Sequence, residues 1–529
     1  MTMRSGGQAL VDALVAHGVD TVFGIPGTHN LAAFAALAAS PIRTVLTRHE
    51  QGAGYAADGY ARVAGRPGVC LTTTGPAILN ALAAAAQAWS DSVPVLFISP
   101  GMPTGHPGRG NGLLHEVKDQ HAAVESVVAY SHRVGSVAEI PLAVTYAFSA
   151  MTTGRPRPVH IEIPLDLLDA EAEVHIVAPV APRPVEPDTA ALADAAARLA
   201  VAAEPVLIVG GGAKGAATQV RTVAELLDAP VLMTANGKGV LDEAHPLAVG
   251  SGVHHPAARA LLVSADAVLA IGTELAPSDF WYGPVDLGDK LIRVDVDAAA
   301  MVTNADPAVR LLGDASATLA LLAGALPAVA AGTSRAAQAR ERLRADAAAE
   351  GAPWLDIMAA LAPTIDVRTV VAADSNMASY YGALSNLPVH RPAGFLYPTG
   401  VGTLGYGLPA ALGAALAETD SRVMALMGDG GIMFTMPELA AAAQQGVALP
   451  VVVVDNGGYG EIRNEMDDRG EPLTAVALGG VDFPGLARAM GCHGVTITEV
   501  SELTGAVETA FAADRPTLIH VREHSRASQ

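Results

Sequence analysis

Short apolar runs such as TVFGI, VCLTTT, VPVLFIS and VHIEI alternate with Ala-rich helical stretches from Thr21 to Ile163. Runs this short are too brief for buried helices, and their alternation with helical segments predicts a parallel sheet with crossover helices. A second alternating block begins at PVLIVGGG, continues through APVLMT and AVLAIGTE, and closes near LIRVDVD and the helix before Gly332. VRTVVAADS, RVMALMGDG, LPVVVVDN and TLIHV supply the strands of a third. The predicted architecture is therefore α/β, with three doubly wound domains of mainly parallel sheet over residues 1–177, 189–332 and 350–525. The Pro-rich segment APVAPRPVEPD, residues 178–188, reads as an exposed linker, and SRAAQARERLRADAAAE as a solvated helical connector. At the amino terminus, Leu10, Leu14 and Val15 are spaced like one face of a helix. No close sequence repeat relates the first domain to the third.

A chain of 529 residues is too long for one hydrophobic core, and a composition 51% apolar excludes a disordered protein. The formal net charge of −21, with no Lys/Arg cluster to offset it, argues against nucleic acid and anionic membranes as partners. Cys70 and Cys492 are too few for a disulfide framework and are expected to pack as small apolar groups. The opening segment lacks the long apolar core of a signal peptide, and Ala317–Gly332 is shorter than the roughly 20 residues of a bilayer span. A cytoplasmic location is expected.

The densest chemistry is Gly428-Asp429-Gly430-Gly431, between the apolar run VMALM and the helical stretch MPELAAAAQQG. Glycines let phosphate oxygens approach the backbone, and Asp429 can bind a divalent cation bridging two phosphates. One βαβ excursion later, Asn456 ends the run LPVVVVD within Asn456-Gly457-Gly458-Tyr459-Gly460. Successive parallel strands end on the same edge of a sheet, so Asp429 and Asn456 can meet around one ion. Magnesium needs six hard oxygens, which two phosphate oxygens, Asp429, Asn456, the backbone carbonyl at Gly458 and a water would provide. A lone Gly-Asp-Gly is more often a turn; its pairing with a strand-end Asn makes it a cofactor motif.

This pairing is the thiamine-diphosphate motif, and over nearly its whole length the chain resembles the family containing acetolactate synthase and benzoylformate decarboxylase. The segments TVFGIPGTHN and VLTRHEQGAGYAADGYARVAGRPGVCLTTTGPAILN resemble that family's cofactor-activating region, with Glu50 at the catalytic glutamate. A carboxyl group bonded to the pyrimidine nitrogen favours the tautomer whose nitrogen deprotonates the thiazolium carbon. The resemblance further implies that Pro26 and Gly27 line the pyrimidine pocket, with Thr73, Pro76 and Asn80 as a second wall, and that Thr28 and His29 face the substrate. It implies that Gly402 and Leu404 lie beneath the thiazolium, that Ser375 and Asn376 touch the diphosphate, and that Tyr459 and Gly460 border the same site. Because Glu50 belongs to the first domain and Asp429 to the third, it also implies active sites shared between subunits of a homodimer or homotetramer.

Gly210-Gly211-Gly212-Ala213-Lys214-Gly215 satisfies a dinucleotide fingerprint, but the next strand ends in Thr234-Ala235-Asn236 without the acidic residue that holds a ribose. IGTELAPSDFWYG stands where a flavin segment is expected, so FAD is not expected. That segment, with TANGKGVLDEAHPLAVGSG, GLLHEVKDQ and NGGYGEIRNEM, resembles the 5-guanidino-2-oxopentanoate decarboxylase subgroup. His115, in GLLHEVKDQ, is then a candidate catalytic proton carrier near the substrate, or a histidine that stabilises its loop. Glu461, Ile462 and Glu465 open a helix on which both carboxylates share a face; they can receive a cationic tail, or simply be solvated. Asp279 is expected to join the same pocket. The implied reaction is decarboxylation of a small-molecule 2-oxo acid to an aldehyde, the alternative being carboligation of two 2-oxo acids by an acetolactate-synthase-like transferase.

Overall fold

The computed structural model describes residues 2–180, 183–281, 283–328 and 334–523. The expected domain ends at 332 and 525, and part of the Pro-rich linker, lie outside these residues. Three six-stranded sheets, all parallel, carry the described chain. The first runs Arg43–Leu46, Thr21–Gly24, Gly68–Leu71, Val95–Gly101, Val159–Pro164, Ser131–Arg133 in spatial order. The third runs Phe395–Leu396, Thr369–Ala373, Arg422–Gly428, Pro450–Asp455, Thr517–Arg522, His493–Ile497. Numbered within each domain, both follow the order 2-1-3-4-6-5, a shared topology that the sequences do not reveal. The central sheet instead follows 3-2-1-4-5-6.

A parallel doubly wound sheet opens a crevice where neighbouring strands send their connections to opposite faces. In the central domain that point lies between Pro205–Val209 and Ala267–Ile271, and the two exits close on each other: Gly210 donates to Ile271 at 2.9 Å and Gly212 to Gly272 at 3.0 Å. Those two N–H groups of the Gly210–Gly215 loop are thus engaged within the protein.

The first and third domains pack through helices Glu50–Ala64 and Gly407–Ala417, whose apolar residues share one core. Their backbones cross so closely that a Cβ on Gly413 would overlap the Ala56 carbonyl and one on Gly59 the Ala410 carbonyl. Buried Arg62 extends the junction, bonding Asp58 (2.7 Å), Asp91 (2.8 Å) and Asn236 of the central domain (2.9 Å), while Tyr406 donates to Asp58 at 2.6 Å. Burying this charge is tolerable because acceptors surround it.

Two expectations change, and one pairing is added. The first strand, Thr2–Ser5, pairs antiparallel with Glu171–Val174, a contact too distant in sequence for periodicity to reveal. In helix Gly6–Ala16, Leu10 and Leu14 are buried but Val15 turns outward; Val11 takes the inner position. The connector helix Ser334–Glu350 is solvated on one side only. Ala336, Leu343 and Ala347 are buried, and Arg340 donates to the Ala248 and His245 carbonyls, strapping it to the central domain. Cys70 and Cys492 are both free and buried. No helix among the described residues is long and apolar enough to cross a membrane.

Candidate active site

In the third domain the strand exits converge. Ser375 and Asn376 follow Thr369–Ala373, Gly428–Gly431 follow Arg422–Gly428, Asn456–Gly460 follow Pro450–Asp455, and Gly402 and Leu404 follow Phe395–Leu396. All of these but Gly457 line one cavity of about 300 Å³, as do Glu461 and Ile462. Glycine is required locally. A Cβ on Gly460 would lie 2.5 Å from Asn456 Nδ2, and Gly402 adopts a left-handed φ of 64°.

Asp429 is buried at the end of its strand. Burial first, and then the charge of Asp455, raise its carboxyl to about 6, against the lowering influence of the nearby Asn456 and Gly430 N–H groups. Asp455 is held ionised by His520, whose Nε2 lies 2.8 Å from it. A buried carboxylate beside a half-buried one, with the amide oxygen of Asn456 next in sequence, forms a hard-oxygen donor set, the kind that binds a divalent cation. Asp374 orders the loop beneath: it accepts from Gly405 at 3.1 Å and Tyr406 at 3.0 Å, and burial raises it to about 6. Asp374, Asp455 and the paired tyrosines 380 and 381 were not singled out in sequence. Asp374 and Asp455 nevertheless carry the legible signal of an acid ending an apolar run.

The first domain assembles a second group on the corresponding edge of its sheet. Pro26–His29, Glu50, Thr73–Asn80 and His115 all follow the carboxyl ends of the adjacent strands. Asn80 Nδ2 donates to Glu50 Oε2 at 3.0 Å. His49 caps the helix that Glu50 begins, accepting from Gln51 N at 3.2 Å. Asn30 pins the Pro26–Gly27 turn, accepting from Gly27 N at 2.7 Å, and Gly27 lies against the Thr73 side chain. His29 hydrogen-bonds Thr74 and meets His115 edge to face, ring centroids 5.0 Å apart; burial and His115 together hold His29 below its usual value. His115 has a left-handed φ of 64°, and its buried Nδ1 has no partner among the described residues. Pro76 and Thr28 are exposed.

Within one chain no first-domain residue lines the 300 Å³ cavity, whose lining residues all follow Ala373. Glu438 ties the chain before Glu50 to the third domain, accepting from His49 N at 2.9 Å and Arg48 N at 3.0 Å.

The substrate-side expectations are redistributed. Glu461 faces the cavity and accepts from Tyr381 at 2.8 Å. Glu465 does not line it; it is exposed and pairs with Arg469 at 3.4 Å. Equal spacing on a helix sets a common face but not the side of the carboxylates that packs inward. Asp279 lines a separate cavity of about 250 Å³ between the central and third domains.

Comparison with known proteins agrees with this layout. Residues 4–123 match the thiamine pyrophosphate enzyme N-terminal TPP binding domain, residues 192–322 the central domain, and residues 377–521 the C-terminal TPP binding domain. The chain is 41% identical to the Pseudomonas aeruginosa protein named "Probable 2-ketoarginine decarboxylase AruI", over 98% of this chain and 94% of that one. It is 31% identical to acetolactate synthase isozyme 1 large subunit of Escherichia coli (98% and 94% covered). It is 34% identical to the acetolactate synthase large subunit of Parasynechococcus marenigrum (98% and 88% covered).

Proposed function

Because the chain belongs to the thiamine pyrophosphate enzymes, we propose that it is a decarboxylase that converts a 2-oxo acid to carbon dioxide and an aldehyde, using thiamine diphosphate and magnesium. The observation that carries this reading is the convergence of Asp429, Asn456 and Gly458 with Ser375 and Asn376 on one cavity. Asp429, the Asn456 side-chain oxygen and the Gly458 carbonyl would hold the ion. The donor set fits: a dication beside Asp429 offsets the burial and the Asp455 charge that raise its carboxyl. Ser375 and Asn376 would donate to the diphosphate, and Gly402 and Leu404 would support the thiazolium ring. When bound, the cofactor supplies an acidic carbon and an electron sink for the pair left as carbon dioxide departs.

Glu50, oriented by Asn80, holds a proton for the pyrimidine nitrogen. His29 and His115, which meet edge to face beside Glu50's end of the sheet, would deliver a proton to the product side. Since the cleft is lined within one chain by the third domain alone, Glu50 of the partner subunit would complete it, and a homodimer is the smallest active form.

The substrate reading follows the named relative: 2-ketoarginine is 5-guanidino-2-oxopentanoate, a 2-oxo acid with a cationic tail. Holoenzyme assayed with this acid, pyruvate and an uncharged 2-oxo acid of similar length should show the highest kcat/KM for the guanidino compound. No carbon dioxide from any of them would remove the decarboxylase reading.

A further inference from the structure

The cavity of about 250 Å³ between the central and third domains is lined by Asp279, Ser278, Trp281, His254, Tyr397 and Thr399, among others. It lies beside the catalytic cleft, with different residues lining each. The Tyr397 phenol, on the cavity's lining, is close enough to Ser375 of the cleft for that hydroxyl to moderate its acidity. Trp281 stands edge-on to Tyr380, another cleft residue, with ring centroids 6.4 Å apart.

Its chemistry is one-sided. Burial raises the Asp279 carboxyl to about 7, and nearby Asp91 adds to the effect, offset only by the Ala235 N–H. Thr399 Oγ1 is buried with no hydrogen-bond partner among the described residues. No Lys or Arg among the described residues lines the cavity. The pocket therefore offers acceptors and no cation to meet them, a costly state that a bound donor would relieve.

One wall is flat and fixed. The Trp281 indole stacks on His254 at 3.8 Å with 13° between planes, and its Nε1 donates to Ser278 O at 3.0 Å. His254 is itself held by Glu350, 3.0 Å from its Nε2. The glycine at 252, with φ 97°, leaves room for the neighbouring His255 ring, which bonds Ser385 at 3.0 Å. An immobilised aromatic ring beside a carboxylate and an unpaired hydroxyl suits a planar cation with several N–H donors, better matched by a guanidinium than by a strongly hydrated ammonium.

We propose that this cavity receives the guanidinium end of the substrate, against Trp281 and bonded to Asp279 and Thr399, while the 2-oxo acid end reacts in the adjoining cleft. The proposal rests on the decarboxylase reading, but it moves cation recognition from the helix carrying Glu465 to the domain junction.

The test pairs turnover with binding. In Asp279→Asn holoenzyme, kcat/KM for 5-guanidino-2-oxopentanoate should fall about 10- to 100-fold, mainly through KM, while an uncharged 2-oxo acid of similar length changes less than about twofold. Thr399→Val, which keeps the shape, should shift the same ratio by a smaller factor. Calorimetric titration with 5-guanidinopentanoate, which lacks the reacting carbonyl, should show the same weakening in Asp279→Asn without turnover. Equal losses for charged and neutral substrates, or unchanged affinity for 5-guanidinopentanoate, would overturn the proposal and leave the decarboxylase reading intact. If no 2-oxo acid is decarboxylated but the variant still loses the guanidino ligand, the decarboxylase reading fails and the cavity assignment survives.

Discussion

Asn80 donates to Glu50 at 3.0 Å, so the carboxyl at the start of one helix is aimed by an amide in the second turn of another. Glu50→Gln keeps the shape and the hydrogen-bonding capacity but cannot hold an acidic proton for the cofactor. Turnover should fall by at least about 100-fold, the scale of a lost general acid–base group. Cofactor affinity and circular dichroism should stay near wild type. Retained turnover would remove Glu50 from the mechanism.

A site shared between subunits has a consequence that a site within one chain lacks. Glu50→Gln and Asp429→Ala are each expected to be inactive. Refolded or co-expressed together, they should regain activity, because one site of each mixed dimer receives an intact Glu50 from one chain and an intact Asp429 from the other. No recovery in verified heterodimers would place both residues in one chain's site.

Asp429→Ala should weaken magnesium and thiamine diphosphate binding together, since one ion links protein to phosphate. Titrating the cofactor at several magnesium concentrations checks this: wild-type affinity that remains magnesium-dependent would contradict the assignment.

Glu438 is fully buried, and burial raises its carboxyl from 4.5 to about 7 even though Arg48 and His49 N–H groups donate to it. The folded protein therefore holds this proton over a range where the unfolded chain has lost it, and Glu438 costs stability progressively as pH rises from 4.5 to about 7. Glu438→Gln keeps an oxygen acceptor without the charge. Its stability relative to wild type should grow across that window and then level off, by on the order of 1–3 kcal/mol. Thermal melts of both proteins from pH 4.5 to 8 provide the comparison, and a difference that does not vary with pH would contradict it.

The sequence was most readable where chemistry sits at the end of an apolar run. Asp429 and Asn456 could be placed together because parallel strands end on one edge, and that edge is where the cavity lies. What remained hidden depends on contacts across long sequence separations. The Glu438 contact with the turn before Glu50 joins residues from opposite ends of the chain, and Asp279 reaches its cavity only when two domains pack. Glu465 takes the solvated alternative, paired with Arg469, because periodicity defines faces while packing decides which one turns inward. The matching strand order of the first and third domains lies wholly in topology, which divergent side chains do not report.

Non-oxidative decarboxylation to an aldehyde has a stoichiometry of its own, readable in a single reaction. Purified holoenzyme should be incubated with 5-guanidino-2-oxopentanoate, and carbon dioxide, aldehyde and remaining acid measured in the same vessel. Decarboxylation to the aldehyde is expected to give carbon dioxide, aldehyde and consumed acid in equal molar amounts. Two acids consumed for each carbon dioxide, with no free aldehyde, would contradict it and identify a carboligase.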